Sequence, residues 1–210
     1  MINTNISCGE CSLFKSNSKE LLKNHDTVFD AASSLNLVSP TFVLHSNIFV
    51  GYQGIGKSST ASINSGFIDL ESSSFWDDNR KHRPKDWANI YAKIALHLAS
   101  QGFNVFVSSH SVVREALLKY SAKFPKVSLY TIAPEVSLRK SWITRLRDRF
   151  ENDPSEKNKA AYLNAVECFE TNVTDVSNSS GFTNLIISTS DFSTNFNLLD
   201  FLMRKLPKGY

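Results

Sequence analysis

The chain has 210 residues, of which 41% are hydrophobic, 20% charged and 11% aromatic, and its formal net charge is +3 at pH 7. These values predict one globular domain with a short addition, and the mild charge does not favour nucleic acid as a partner. No apolar run approaches the length of a membrane span, and the N-terminus lacks a secretory signal, so we expect a cytoplasmic protein without a membrane partner.

Residues 1–40 are polar and rich in serine and asparagine, and we interpret them as an N-terminal extension of unknown role. Cys8 and Cys11 form an isolated C-x-x-C pair within this extension. Zinc would need two further ligands, and no second pair of this kind exists, so two free thiols are the better interpretation. Residues 41–210 are predicted to form the main domain.

From residue 41 onward, predicted strands and helices alternate. The predicted strands are 41–50, 67–70, 103–107, 127–132 and 185–187. A short helix follows the first strand, and the later helices are predicted at 84–100, 111–124, 135–150, 155–175 and 195–206. Such alternation predicts an α/β fold with a parallel sheet and helices on both faces, which makes three layers. Ligands of such folds bind outside the carboxyl ends of the strands.

The first strand leads into the sequence GYQGIGKS, which matches the P-loop pattern G-x-x-x-x-G-K-[ST] at every fixed position. Glycines let backbone N–H groups turn toward phosphate oxygens, and the N-terminus of the following helix adds partial positive charge. The pattern therefore predicts a site for ATP, and a chance glycine-rich turn is the alternative. The predicted nucleotide-binding residues are Gly51, Gln53, Gly54, Ile55, Gly56, Lys57, Ser58 and Ser59. Lys57 would contact the β- and γ-phosphates as a catalytic residue, and Ser58 would ligate Mg²⁺.

Polar residues follow the second and third strands. Asp69 and Glu71 lie on one side of the second strand, so they could hold Mg²⁺ or accept a proton from an acceptor hydroxyl. A solvated loop start is the alternative. The third strand ends in Ser108-Ser109-His110, where an ATPase would usually carry an acidic residue. This difference argues against a motor-type ATPase and suits a small-molecule kinase. His110 could cap the next helix or face the acceptor.

Arginines follow the third and fourth strands. Arg114 could bind an anionic acceptor bidentately, or it could lie on the surface. Arg145 and Arg149 share one face of the helix predicted at 135–150, which a break at Asn152-Asp153-Pro154 separates from the next helix. Two helices with a short link, at about 139–165, are typical of a lid, whose arginines would stabilise the transferred phosphoryl group and exclude water. A solvated helix face is the alternative.

The segment 72–83 lies between the second strand and the next helix, where an acceptor-binding segment is expected. Trp76 could stack on a ring of the acceptor, and Arg83 could meet a phosphate. Trp76 could equally pack under the lid.

Together these motifs resemble the nucleoside monophosphate kinase-like branch of the P-loop kinases, over residues 44–206. The stretches FIDLESS (67–73), FVSSH (106–110) and VRE (113–115) are similar to small P-loop kinases and ATP-binding proteins of bacteriophages. The resemblance implies five parallel strands in the order 2-3-1-4-5 and a mobile helical lid. The D-x-E at 69–71 is also similar to the D-x-D of shikimate-kinase-type enzymes. The G-F-P-R of adenylate kinase is missing after the third strand, which leaves the acceptor open.

The sequence thus predicts an ATP- and Mg²⁺-dependent phosphotransferase for a nucleoside or deoxynucleoside monophosphate. Asp69 would position the acceptor or a metal-bound water, and Arg114 would bind the acceptor phosphate. The other acceptor-side candidates are Glu71, Trp76, Arg83 and His110. Two alternatives remain: a kinase for an uncharged hydroxyl acceptor with Asp69 as base, and a non-catalytic ATP-binding regulatory module. The sequence leaves the oligomeric state open, with a homodimer among the options.

Overall fold

The computed structural model describes residues 46–76, 82–193 and 195–207. The predicted extension, its boundary at residue 40, and both Cys8 and Cys11 lie outside these residues, as does the part of the predicted acceptor segment at 77–81. Among the helices that the structure describes, none combines the length and the apolar character needed to cross a bilayer.

Five parallel strands form a sheet in the order β2-β3-β1-β4-β5. The strands are β1 (Asn47–Gly51), β2 (Phe67–Asp69), β3 (Asn104–Ser108), β4 (Ser128–Pro134) and β5 (Thr183–Ile187). Phe67 of β2 pairs with Asn104 of β3, and Ile132 of β4 pairs with Leu185 of β5. The predicted α/β class and the strand order are confirmed, and helices around the sheet are consistent with a three-layer architecture.

Six α-helices lie in the described part of the chain. They are α1 (Lys57–Ile63), α2 (Trp87–Ser100), α3 (Ser111–Ser121), α4 (Arg139–Asn152), α5 (Glu156–Ser177) and α6 (Leu198–Lys205). Two short 3-10 turns, Ser72–Phe75 and Val136–Leu138, were not predicted. The short helix after the first strand is confirmed, and it ends at Ile63.

Four predicted helix boundaries are wrong, each for a local reason. The helix predicted from residue 84 begins at Trp87, because residues 84–87 form a turn in which the Trp87 N–H donates a hydrogen bond to Pro84 O at 3.0 Å. The helix predicted to end at 124 ends at Ser121, where a turn follows. The helix predicted from 135 begins at Arg139, because the Glu135 N–H bonds to Ile187 O of β5 at 2.9 Å.

The fourth boundary concerns the last helix, predicted from 195, which begins at Leu198. The side chain of Asn197 caps this helix, and its Oδ1 accepts a hydrogen bond from the Leu199 N–H at 2.8 Å. An asparagine in this position satisfies backbone donors that have no partner within the first helical turn, which is why the helix starts after it.

Contacts divide the chain into two compact units. Within the described ranges, the first unit comprises residues 46–48 and 58–128, and the second comprises 49–57 and 129–207. In the first unit, α2 packs on β3 and α3, and the rings of Phe67 and Phe106 stack at 5.3 Å. In the second unit, α4 and α5 pack together around Trp142, which is 0% exposed. Burying one such aromatic side chain contributes about 3 kcal/mol.

Candidate functional site: a glycine-rich loop and the strand ends

The segment Gly51–Ser58, referred to below as the glycine loop, connects β1 to α1. Gly54 and Gly56 have φ angles of +82° and +103°, which side chains with a Cβ rarely adopt. The Tyr52 N–H donates to Ile132 O at 2.9 Å and joins the start of the loop to β4. The side chain of Ile55 is fully buried. The loop therefore has a defined conformation that depends on its glycines.

Lys57 folds back over the glycine loop. Its Nζ donates to Gly51 O at 2.8 Å and to Tyr52 O at 3.2 Å. A Cβ on Gly51 would lie 3.0 Å from Lys57 Cδ, so the lysine stem runs close against the loop backbone. The structure thus places the predicted catalytic ammonium at the loop itself.

Helix α4 holds two carbonyl groups of the glycine loop. Trp142 Nε1 donates to Gln53 O at 2.9 Å, and Arg145 Nε donates to Gly54 O at 2.9 Å. Burial lowers the pKa of Arg145, and the nearby charge of Arg149 lowers it further. Arg145 was predicted to act on the phosphoryl group, and the structure shows it in contact with the loop backbone. Trp142 is not among the predicted site residues, so the sequence analysis missed this contact.

Gln53 and Arg149 occupy different environments. The Gln53 amide donates to Ala161 O at 2.9 Å and to Asn164 Oδ1 at 3.1 Å, so this side chain is engaged by α5. Arg149 is exposed and, within the described part of the chain, takes part in no ion pair. Its neighbour Arg147, by contrast, pairs with acidic residues of the same helix. Of the predicted lid arginines, Arg149 is therefore the more accessible to an anion.

In the first unit, Ser58 and Asp69 meet directly. Ser58 Oγ donates to Asp69 Oδ2 at 2.5 Å, where α1 begins and β2 ends. The structure therefore brings together the two residues predicted to hold Mg²⁺. Ser59 is exposed beside them. Glu71 accepts a hydrogen bond from the Ser73 N–H at 3.2 Å, so its carboxylate caps the 3-10 turn that follows β2.

Tyr91 of α2 joins the ends of β2 and β3. Its hydroxyl donates to Leu70 O and accepts from the Ser108 N–H at 3.1 Å. The ring is fully buried, and burial raises the pKa of Tyr91 far above its usual value. Ser108 Oγ is also buried close to this hydroxyl. This tyrosine, another residue missed in the sequence, fixes the strand ends that carry the predicted acceptor-side residues.

Arg83 lies between two indole rings. Its guanidinium carbon is 4.2 Å from the centre of Trp76 and 4.1 Å from that of Trp87. Burial lowers the pKa of Arg83, and its buried Nε has no hydrogen-bond partner among the described residues. The ring of His110 meets Trp87 edge-on at 6.0 Å. Three predicted acceptor-side residues, Trp76, Arg83 and His110, are therefore gathered around Trp87.

Arg114 is 6% exposed, which excludes its alternative interpretation as a surface residue. It lies on α3, and its Nη1 donates to Ser109 O at 2.6 Å. The side chain therefore reaches back to the carboxyl end of β3, and ligands of such folds bind outside the carboxyl ends of the strands.

These observations define an α/β protein with a glycine-rich loop at the carboxyl end of its central strand and polar side chains at the ends of the neighbouring strands. Comparison with models of protein families, with curated proteins and with solved structures found no match.

Proposed function

We propose that the chain is an ATP- and Mg²⁺-dependent phosphotransferase whose acceptor is a nucleoside or deoxynucleoside monophosphate. The observation that carries this proposal is the direction of the loop peptides. In a trans peptide, the C=O of one residue and the N–H of the next point in opposite directions. Since α4 holds the carbonyls of Gln53 and Gly54, the N–H groups of Gly54 and Ile55 point away from that helix. Successive N–H groups directed to one side form an anion-binding concavity.

The Ser58–Asp69 pair supports a metal role. Hydroxyl and carboxylate oxygens are among the ligands that Mg²⁺ takes in phosphate-binding sites. Ser58 would ligate the ion, and Asp69 would hold the ion or one of its waters. When bound, Mg²⁺ would neutralise charge on the β- and γ-phosphates. Lys57, which lies within the glycine loop, would supply a further positive charge to the β- and γ-phosphates.

Arg83 supports an anionic acceptor over an uncharged one. The two indoles fix the guanidinium, and it forms no ion pair with the described residues. Burial lowers its pKa, and the nearby charge of Glu71 offsets only part of that effect. A fixed, partly desolvated arginine suits bidentate contact with a phosphate. Arg114, whose side chain reaches from α3 to Ser109 O after β3, would add a second positive charge on the acceptor side.

The proposed reaction needs little acid–base chemistry. An oxygen of the acceptor phosphate attacks the γ-phosphorus, the bond from that phosphorus to the β–γ bridging oxygen breaks, and ADP leaves with the bonding electrons. A monophosphate is largely doubly ionised at pH 7, because its second pKa is about 6, so no base has to remove a proton. Arg145 and Arg149 would stabilise charge on the transferred group.

A non-catalytic ATP-binding regulatory module is the second candidate, because the glycine loop alone needs no acceptor. A coupled ADP-release assay with ATP and Mg²⁺ separates the two. The panel contains ribo- and deoxynucleoside monophosphates and the matching nucleosides. We expect at least one monophosphate to stimulate ADP release and its nucleoside to have no effect. If no compound stimulates ADP release, the regulatory module is the better account.

A further inference from the structure

We propose that Trp142 is a positioning residue for the glycine loop. Its indole N–H, together with the Nε–H of Arg145, fixes the two peptide planes whose N–H groups would bind the β-phosphate. Trp142 itself would not touch the nucleotide. This inference rests on the proposed function, because it takes the loop to be the phosphate-binding element.

The indole is held in one position by its surroundings. Trp142 is 0% exposed, and its ring packs on Phe192 at 5.2 Å and on Tyr52 at 6.5 Å. A buried N–H without an acceptor, or a buried carbonyl without a donor, costs about 1–3 kcal/mol. The bond to Gln53 O therefore has one favoured geometry.

Two further contacts keep the loop against the α4–α5 pair. A Cβ on Gly54 would lie 3.2 Å from Trp142 Nε1 and 2.9 Å from Leu146 Cδ2, so the loop backbone runs directly along α4. The amide of Gln53 is bonded to Ala161 O of α5 at 2.9 Å. Gln53 is thus anchored through both its carbonyl and its side chain, and rotation of the 53–54 peptide would break the bond from Trp142.

The Trp142→Phe variant keeps an aromatic ring in the core and removes the donor. Without it, the 53–54 peptide can rotate and the Gly54 N–H is no longer held toward the phosphate. We expect the Kd of Mg·ATP and of Mg·ADP to rise about tenfold, which corresponds to the loss of one oriented hydrogen bond. Adenosine carries no phosphate, so its Kd should not change.

The matched control is Phe169→Leu. Phe169 is 1% exposed in the same unit and packs edge-on against Tyr52 at 5.8 Å, without bonding to either carbonyl. Isothermal titration calorimetry and thermal unfolding are measured for the wild type and both variants. We expect both variants to unfold at lower temperature and only Trp142→Phe to lose affinity for Mg·ATP and Mg·ADP. Unchanged affinity in Trp142→Phe, or an equal loss in both variants, overturns the inference. A wild type that binds neither nucleotide contradicts the proposed function instead.

A second measurement does not depend on the folding of Trp142→Phe. The sequence has three tryptophans, so the double variant Trp76→Phe/Trp87→Phe leaves Trp142 as the single indole. Its Nε1–H resonance is followed by NMR during titration with Mg·ADP and with adenosine. We expect a shift and slower hydrogen exchange with Mg·ADP only. If calorimetry shows that Mg·ADP binds and the Trp142 Nε1–H resonance does not shift, the positioning role is overturned.

Discussion

Ser58 Oγ donates a hydrogen bond to Asp69 Oδ2 at 2.5 Å, which joins the start of α1 to the end of β2. Ser58 is the residue that would ligate Mg²⁺, and Asp69 could either hold the ion or accept a proton from the acceptor. The two side chains are direct neighbours. This contact favours the metal role of Asp69 over the role of a base, since a base must face the acceptor.

The first prediction concerns Asp69→Asn, which keeps an oxygen acceptor for Ser58 and removes the charge. We expect the Mg²⁺ concentration for half-maximal rate to rise and kcat to fall about 10- to 100-fold, as for other residues that support a metal site. Initial rates as a function of Mg²⁺ concentration measure this. Asp148→Asn is the control, because the Asp148 side chain is exposed on α4, and this variant should show the same Mg²⁺ dependence as the wild type. An unchanged Mg²⁺ dependence in Asp69→Asn would rule out the metal role.

The second prediction compares two glycines with positive φ angles. At Gly54 (φ +82°) a Cβ would lie 2.9 Å from Leu146, whereas at Gly102 (φ +95°) it would meet nothing within 4 Å. Both alanine variants bear backbone strain of about 1–2 kcal/mol. Only Gly54→Ala also has to displace α4 side chains, so it should unfold at lower concentrations of urea than Gly102→Ala and lose affinity for Mg·ATP. Equal behaviour of the two variants in both measurements would contradict the described loop geometry.

The third prediction concerns the charge of the acceptor. Arg83→Gln removes the guanidinium held between Trp76 and Trp87. We expect the KM of the monophosphate acceptor to rise about tenfold or more, the usual scale for a charge-assisted contact, with the KM of ATP unchanged. Lys85→Gln removes an exposed charge two residues away and should have no effect. If both KM values stay at wild-type levels in Arg83→Gln, the anionic acceptor is bound elsewhere.

The fourth prediction uses the buried phenol of Tyr52. Burial raises the pKa of Tyr52 to about 12, above its usual value near 10. The unfolded chain therefore loses this proton first as the pH rises. The stability contributed by the neutral phenol is complete below pH about 10 and is lost between pH about 10 and 12. Urea unfolding from pH 8 to 11.5 should show a steeper decline for the wild type than for Tyr52→Phe. If the free energy of unfolding declines equally with pH in the wild type and in Tyr52→Phe, the raised pKa of Tyr52 is contradicted.

The sequence predicted the parts of the site that depend on local spacing. The glycine loop is a fixed pattern of eight residues, and strand alternation placed Asp69 at the carboxyl end of β2. The order of the strands came from the resemblance to P-loop kinases. Helix ends were predicted less well, because Trp87 and Leu198 begin their helices where a turn or a cap bonds to the backbone.

The contacts that hold the site could not be predicted from spacing. Trp142 is 89 residues from Gln53, and Arg145 is 91 residues from Gly54, so no periodicity connects them. A tryptophan on the apolar face of a helix predicts burial, and the partner of its N–H depends on tertiary packing. The same holds for Arg83, whose position between Trp76 and Trp87 needs the 3-10 turn and the shortened start of α2.

The most direct test of phosphoryl transfer uses ATP labelled at the γ-phosphate. The wild type and Lys57→Ala are incubated with Mg²⁺ and the panel of monophosphates, and labelled products are separated by chromatography. We expect the wild type to form a labelled nucleoside diphosphate from at least one acceptor and Lys57→Ala to form none while keeping its fold by circular dichroism. Label found only in inorganic phosphate, or equal transfer by the two proteins, would contradict a kinase built on the glycine loop.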